Sequence, residues 1–187
     1  ADQGGGLFAR NGEFVADRNN IARVWMDHGS WPLLTAKLYI DKLGDIDFLL
    51  EEIPYFDDKF THYTKNVDSD YVNESQTLNN KLNETYKGTV LEHLIIQNLV
   101  PYYNVGKHNN LRLEDADWND GFDMGHKNGE SVAFTSMYAD NLIIISDLLK
   151  SMDSKNIKEV ELLEEIVMLL QDVDQENIEE KHNVLQT

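Results

Sequence analysis

Apolar residues in this chain recur mostly at helical spacing, and stretches that alternate as a strand would are scarce. Ser30 to Leu43 has the outline of a helix: Ser30 can cap it, Pro32 suits the first turn and Gly44 can end it. Trp31, Leu33, Leu34, Ala36, Leu38, Tyr39 and Ile40 wrap most of its circumference, which predicts burial on more than one side with Trp31 in the core. A shorter helix is expected over Asp45 to Ile53, started by an acidic cap and stopped by Pro54. Thr89 and Glu92 have the spacing of a capping box for a helix that reaches Val100, where Pro101 interferes. Glu130 to Lys150 reads as a strongly apolar helix. Asn156 to Gln171 reads as an amphipathic one, with Ile157, Val160, Leu163, Ile166 or Val167, and Leu170 on one face.

Between these elements the chain is polar. Residues 63–86 are Asn-rich and aperiodic, which predicts an extended surface loop, and 102–128 form a second long loop. The layout is then an extended segment over 1–22, a helical body over 23–172 and a charged tail over 173–187 that frays. Helices in sequence joined in this way predict an all-α fold, an array of paired helical hairpins.

Charge narrows the functional classes. The 187 residues hold 34 acidic against 16 basic side chains, a formal charge of −18, which repels a phosphate backbone or an anionic bilayer. Nucleic acid and membrane are therefore not expected as partners. Without cysteine there are no disulfides or thiolate metal sites. No apolar run approaches the roughly 20 residues of a membrane span, and no basic-then-apolar leader opens the chain, so a cytoplasmic location is expected. The histidines share no metal-ligand spacing. An EF-hand starting at Asp115 would need Gly where Asp120 stands and Glu where His126 stands.

The densest chemistry lies at Ala116-Asp117-Trp118-Asn119-Asp120-Gly121, followed by Gly129-Glu130-Ser131. A carboxylate beside an indole, on a glycine-bounded loop ahead of a helix, supplies what glycosidic cleavage needs. The acid protonates the departing oxygen, and the flat ring carries the pyranose.

In order along the chain stand Asp27-His28-Gly29-Ser30-Trp31-Pro32-Leu33-Leu34, Leu43-Gly44-Asp45, Glu52-Ile53-Pro54-Tyr55-Phe56, Thr89 through His93, Ala116 through Gly121, and Gly129-Glu130-Ser131-Val132. This series, over roughly Arg23 to Leu149, resembles glycoside hydrolase family 94, the family of inverting β-glucoside phosphorylases. The resemblance implies part of an (α/α)6 barrel, with Asp120 as the general acid, Trp118 as the aromatic wall of the donor-sugar subsite and Asp117 at the acidic position before it. Glu130 and Arg23 are further candidates for sugar binding. Glu130 equally suits an acid at a helix N-terminus, and Arg23 an ion pair with Asp27. Glu114 to Asp117 and Gly129 to Thr135 look closer to the 1,2-β-oligoglucan phosphorylases than to the cellobiose enzymes. Family members are longer and carry a β-sandwich, an upstream Arg/Asp sugar motif and phosphate-gripping residues that are not recognisable here. The chain is therefore expected to be a middle fragment that supplies about half the barrel and self-associates, with the full-length enzyme a homodimer.

The family chemistry implies a β-linked glucose oligosaccharide or disaccharide as substrate, inorganic phosphate as co-substrate, and no metal or organic cofactor. An inverting hydrolase on the same barrel would instead need a second carboxylate about 6.5–9.5 Å from the acid to activate water, for which Glu92 or Glu130 are the candidates. A non-catalytic carbohydrate-binding helical module is the remaining alternative.

Overall fold

Leu33, Ala36 and Ile40 follow a single helical stripe, and in the computed structural model that stripe is buried rather than the whole circumference of the first helix, α1 (Ser30–Leu43). The structure describes residues 7–8, 14–15, 26–57, 60–61, 66–67, 77–114, 123–125 and 127–185. Gly44 ends α1 in the left-handed conformation at φ 72°, its N–H bonding to the carbonyl of Ile40, as its position after the apolar run predicts. Trp31, expected in the core, is instead 54 % exposed. It lines a cavity of about 660 Å³ together with Pro32, Tyr39, Phe48, Ile53 and His93. Its indole N–H donates to Asp27 Oδ2 at 3.0 Å, a polar anchor that holds the ring at the rim.

The helix expected over Asp45 to Ile53 is only a single 3-10 turn, Asp47–Leu50. Leu49 is fully buried there, and the chain then straightens into β3 (Glu52–Pro54). Pro54 lacks the N–H that a helix or an inner strand would need, but a strand paired on one side tolerates it. Strand β3 pairs antiparallel with β6 (Lys87–Thr89), Glu52 opposite Thr89 and Pro54 opposite Lys87. Further two-residue ladders join β1 (Leu7–Phe8) to β2 (Phe14–Val15) and β4 (Phe60–Thr61) to β5 (Asn66–Val67). Isolated bridges connect Phe56 to Thr77 and Asn79 to Thr85. The described parts of 63–86 therefore hold short pairings without alternation, which period-two reading cannot detect.

Thr89 caps α2 (Val90–Tyr103), its Oγ1 accepting from the N–H of Glu92 at 3.1 Å. Pro101 lies inside this helix, in its last turn, where it costs one bond, to the carbonyl of Gln97. That carbonyl faces Gly29, where a Cβ would sit 2.7 Å from it and 2.8 Å from the hydroxyl of Tyr138. Only glycine lets the turn at residues 26–29 come this close.

Ser131 caps α3 (Val132–Ser154) by accepting from the N–H of Phe134 at 3.2 Å, so Glu130 lies just outside the helix. By length and composition α3 could cross a bilayer. Its stripe of Tyr138, Asn141, Ile145, Leu148 and Met152 is instead turned onto α1 and α2. Within that stripe Asn141 donates to Ser30 Oγ and to Asn98 Oδ1, both at 2.9 Å, and Asn98 donates to the carbonyls of Gly29 and Leu94. These buried amides satisfy one another and fix the register of α1, α2 and α3.

Residues 156–171 contain only α4 (Glu164–Leu169). The burial pattern read from sequence holds in part: Ile157, Val160, Leu163 and fully buried Ile166 pack on the core with Leu33, Leu91 and Met152, while Leu170, expected on the same face, is exposed. The backbone differs because Asn156 turns left-handed at φ 68° and the segment 157–163 runs as a strap over α2. Nor does the tail fray: α5 (Ile178–Val184) is capped by Asn177, whose Oδ1 accepts from Glu180 N, and lies against α2. Burying side chains such as Leu33 and Ile166 contributes roughly 1.5–3 kcal/mol each.

Candidate active site

The residues that flank the sequence motif form a paired base. Asn104 ends α2, its N–H bonded to Pro101 O at 3.0 Å, and the chain turns back through a hairpin in which Val105 bridges Leu111. Asn109, left-handed at φ 63°, makes the reversal, an accustomed conformation for asparagine. Beyond the hairpin, Arg112 bridges Glu130, the N–H of Leu113 bonds to Gly129 O at 2.8 Å, and the N–H of Ser131 bonds to Leu111 O at 2.9 Å. Thr135 of α3 adds its hydroxyl to the N–H of Leu111. Leu113 and Gly129, on either side of the motif, are thus tied together, and Leu111 beside them to α3.

Glu130 fastens the hairpin from one side. Its carboxylate accepts from the N–H groups of His108 and Asn110 at 3.2 Å and from His108 Nδ1 at 3.0 Å. A Cβ on Gly106 would overlap its side chain. Burial would push the Glu130 carboxyl up, but the bonds from the His108 ring and from the N–H groups of Asn110 and His108 outweigh it and hold the group below its ordinary value. From the other side, Lys181 of α5 donates to Asn109 Oδ1 at 2.8 Å, and His182 Nε2 donates to Val105 O at 2.6 Å. The Lys181 ammonium also lies 4.3 Å from the ring centroid of Tyr102.

Glu114 is the last described residue before the motif. It is left-handed at φ 52° and 7 % exposed, and its Oε1 accepts from Asn104 Nδ2 at 2.7 Å. A left-handed residue without the freedom of glycine costs about 1–3 kcal/mol and persists where its surroundings overdetermine it. Here the neighbouring N–H of Arg112 also bonds Asn104 O, at 3.0 Å.

Glu92, the alternative second carboxylate, is fully buried. It accepts from the hydroxyl of Tyr55 at 2.7 Å, from that of Tyr86 at 3.1 Å and from the N–H of Leu163 at 2.8 Å. Tyr55 stacks on His93 with centroids 3.8 Å apart. Burial, then the bond to Glu92, raises the Tyr55 hydroxyl well above its ordinary value. Burial and the Glu92 charge push Tyr86 up to about 12.

Of the residues singled out in sequence, Glu130 is placed, at the base of the motif loop. Asp117, Trp118 and Asp120, with the rest of 115–122, and Arg23 lie outside the described residues, and Asp27 meets Trp31. Sequence reasoning passed over Glu114, Asn104 and Lys181. An acid directly before a motif is an available signal for the first; the left-handed backbone and the docking of α5 leave none.

Compared with curated proteins, the chain finds no match. The family model described as "Glycosyl hydrolase 94 superfamily, catalytic domain" matches residues 61–179, more than half of the chain and inclusive of the whole motif loop. With about half of its described residues helical and the family model matched over residues 61–179, the chain belongs to the glycosyl hydrolase 94 superfamily and represents a helical part of its catalytic domain.

Proposed function

We propose that this chain is part of the (α/α)6-barrel catalytic domain of an inverting β-glucoside phosphorylase acting on a β-linked glucose oligosaccharide or disaccharide. Inorganic phosphate attacks the anomeric carbon from the face opposite the glycosidic oxygen. The C–O bond breaks as Asp120 delivers its proton to the leaving oxygen, and a sugar 1-phosphate of inverted configuration results. Phosphate is itself an anionic nucleophile, so no carboxylate is needed to activate it and no cofactor enters the step. Trp118 supplies the stacking wall, with Asp117 and Arg23 around the donor sugar, while Glu130 holds the hairpin at the base of the motif.

The observation that carries phosphorolysis over hydrolysis is the commitment of the two other candidate carboxylates. A general base must present a free oxygen to water. Glu92 is wholly buried and spent on Tyr55, Tyr86 and Leu163, while Glu130 is spent on His108 and Asn110. The same reading places the enzyme in the cytoplasm as a self-associating protein that acts within a longer chain.

The full-length protein carrying this sequence, given a β-glucan oligosaccharide, should form sugar 1-phosphate only when phosphate is supplied. Asp120→Asn should lower that rate by about 10²–10⁴-fold while leaving the melting temperature in place. Free sugar released without phosphate would establish the hydrolase instead. Binding without turnover would establish a non-catalytic module.

A further inference from the structure

We propose that the cavity beside α1 is a second glucan-holding site, separate from the motif base, in which the face of the Trp31 indole stacks on a pyranose ring. This rests on the reading that a β-linked glucan is the substrate. The cavity of about 660 Å³ lies between α1, the 3-10 turn at Phe48, Ile53 of β3 and α2, and none of the described residues 104–114 and 127–131 lines it. Its size falls in the range of small-molecule sites. Trp31, Thr35 and Tyr39 stand four positions apart, so they share one face of α1 over about 12 Å. Each of the three commits its polar atom within the chain: the indole N–H to Asp27, the Thr35 hydroxyl to the carbonyl of Trp31 at 2.8 Å, and the Tyr39 hydroxyl to Asp45 at 2.9 Å. What remains for a ligand is flat ring surface, with Trp31 54 % and Tyr39 38 % exposed, and such a surface suits the C–H face of a sugar ring.

Two further observations decide the class of ligand. The bond to Asp45, with desolvation and the charges of Asp45 and Glu51, raises the Tyr39 hydroxyl above its ordinary value, so that end of the cavity carries a negative field. An anion such as phosphate is repelled there. Gln97 also lines the cavity, and its Oε1 is buried with no hydrogen-bond donor among the described residues. A buried acceptor calls for a donor, and the broad terminal torsion of glutamine lets the carboxamide turn toward one. A hydroxylated ring brings donors at its edge, an apolar face and no charge. The apolar side chains of a protein helix would leave Oε1 unpaired.

The test titrates a β-linked glucan oligosaccharide into the full-length protein carrying Trp118→Ala, which removes the stacking wall proposed at the motif. The indole N–H resonance of Trp31, assigned by its loss in Trp31→Phe, should shift with glucan and stay in place with inorganic phosphate. In that background Trp31→Ala should weaken the remaining binding by about tenfold, and Trp31→Phe, which keeps a flat ring, by about threefold or less. Gln97→Ala should weaken it by about threefold. A silent indole resonance, or equal glucan affinity in Trp31→Ala and its parent, would overturn the site. So would a shift produced by tetramethylammonium and not by glucan, which would make the aromatic face a cation site. The titration needs no turnover. A responsive Trp31 in a protein that forms no sugar 1-phosphate therefore upholds the site and fails the phosphorylase reading alone, whereas phosphate-dependent turnover with a silent Trp31 fails the site alone.

Discussion

The carboxylate of Glu92, one turn into α2, accepts the backbone N–H of Leu163 at 2.8 Å across 71 positions of sequence. With the hydroxyls of Tyr55 and Tyr86 on the same carboxylate, this bond joins the β3–β6 region, α2 and the strap 157–163 at one buried point. It also explains why the capping box is half made. Thr89 caps the N–H of Glu92, while the Glu92 side chain is engaged elsewhere.

Glu92→Ala would leave both tyrosine hydroxyls and the Leu163 N–H without that acceptor in a closed interior. The expected loss of stability is about 3 kcal/mol or more, read as a shift in the urea midpoint at unchanged slope. Glu92→Gln, which retains an accepting oxygen, should lose less. An alanine variant within about 0.5 kcal/mol of the parent chain would remove the anchor from the account.

Where a segment's own periodicity decided its structure, the sequence was readable. The bounds of α1, its glycine stop, the Thr89 cap and the length of α3 to within a turn all follow from spacing. The failures share a physical cause: a distant partner outweighed local preference. The amphipathic pattern of 156–171 places Ile157, Val160, Leu163 and Ile166 on the core correctly, though not Leu170, yet Glu92 takes the N–H of Leu163 and holds 157–163 as a strap. The tail looks too charged to pack, but Lys181 finds Asn109 and Tyr102 and is buried. Trp31 reads as core by composition, and an anchor to Asp27 keeps it at a rim. At the base of the motif, residue type and order single out Glu130, but not its hold on His108 and Asn110. The left-handed Glu114 was not legible, because its side-chain partner Asn104 comes from the end of another element.

Tyr86 gives an alkaline signature. Its hydroxyl titrates near the ordinary 10.0 when unfolded and is pushed up to about 12 when folded, by burial and by the Glu92 charge and hydrogen bond. A group raised in this sense contributes stability that is fully present below pH 10.0 and is lost as pH rises toward 12. Denaturant melts across that window should show the decline, and Tyr86→Phe should lessen it. Because Tyr55 is raised by the same carboxylate, part of the decline should persist in that variant. An identical slope in the parent and Tyr86→Phe chains would count against the pairing.

Docking of α5 should depend on the length of the side chain at 181 more than on its charge. Burial holds the Lys181 ammonium below its usual value, so the charge is maintained at a cost while its stem packs over Tyr102. Lys181→Ala should destabilise the α5 contact by about 1–2 kcal/mol and open residues 178–184 to proteolysis. Lys181→Met, which keeps the stem, should retain most of the protection. Equal cleavage of both variants would place the interaction in the lost charge.

Glu130 should give the hairpin at the base of the motif loop an acid limb. Its carboxyl lies below the ordinary 4.5 in the folded chain, because the bonds from His108 and from the N–H groups of Asn110 and His108 outweigh the effect of burial. The stabilisation is therefore complete above about pH 4.5 and is lost as pH falls through the lower folded-state value. Protonation turns one accepting oxygen into a donor facing N–H groups, which releases residues 106–110 before the helices unfold. Glu130→Gln should mimic that release at neutral pH, since the amide nitrogen of glutamine cannot accept from either His108 or Asn110. Amide exchange at positions 108 and 110 measures it: the parent chain should quicken only in acid, and Glu130→Gln should be fast throughout. Slow exchange in the variant at neutral pH would mean that the paired strands at Arg112 and Leu113 alone hold the hairpin, and that the carboxylate is available to a ligand.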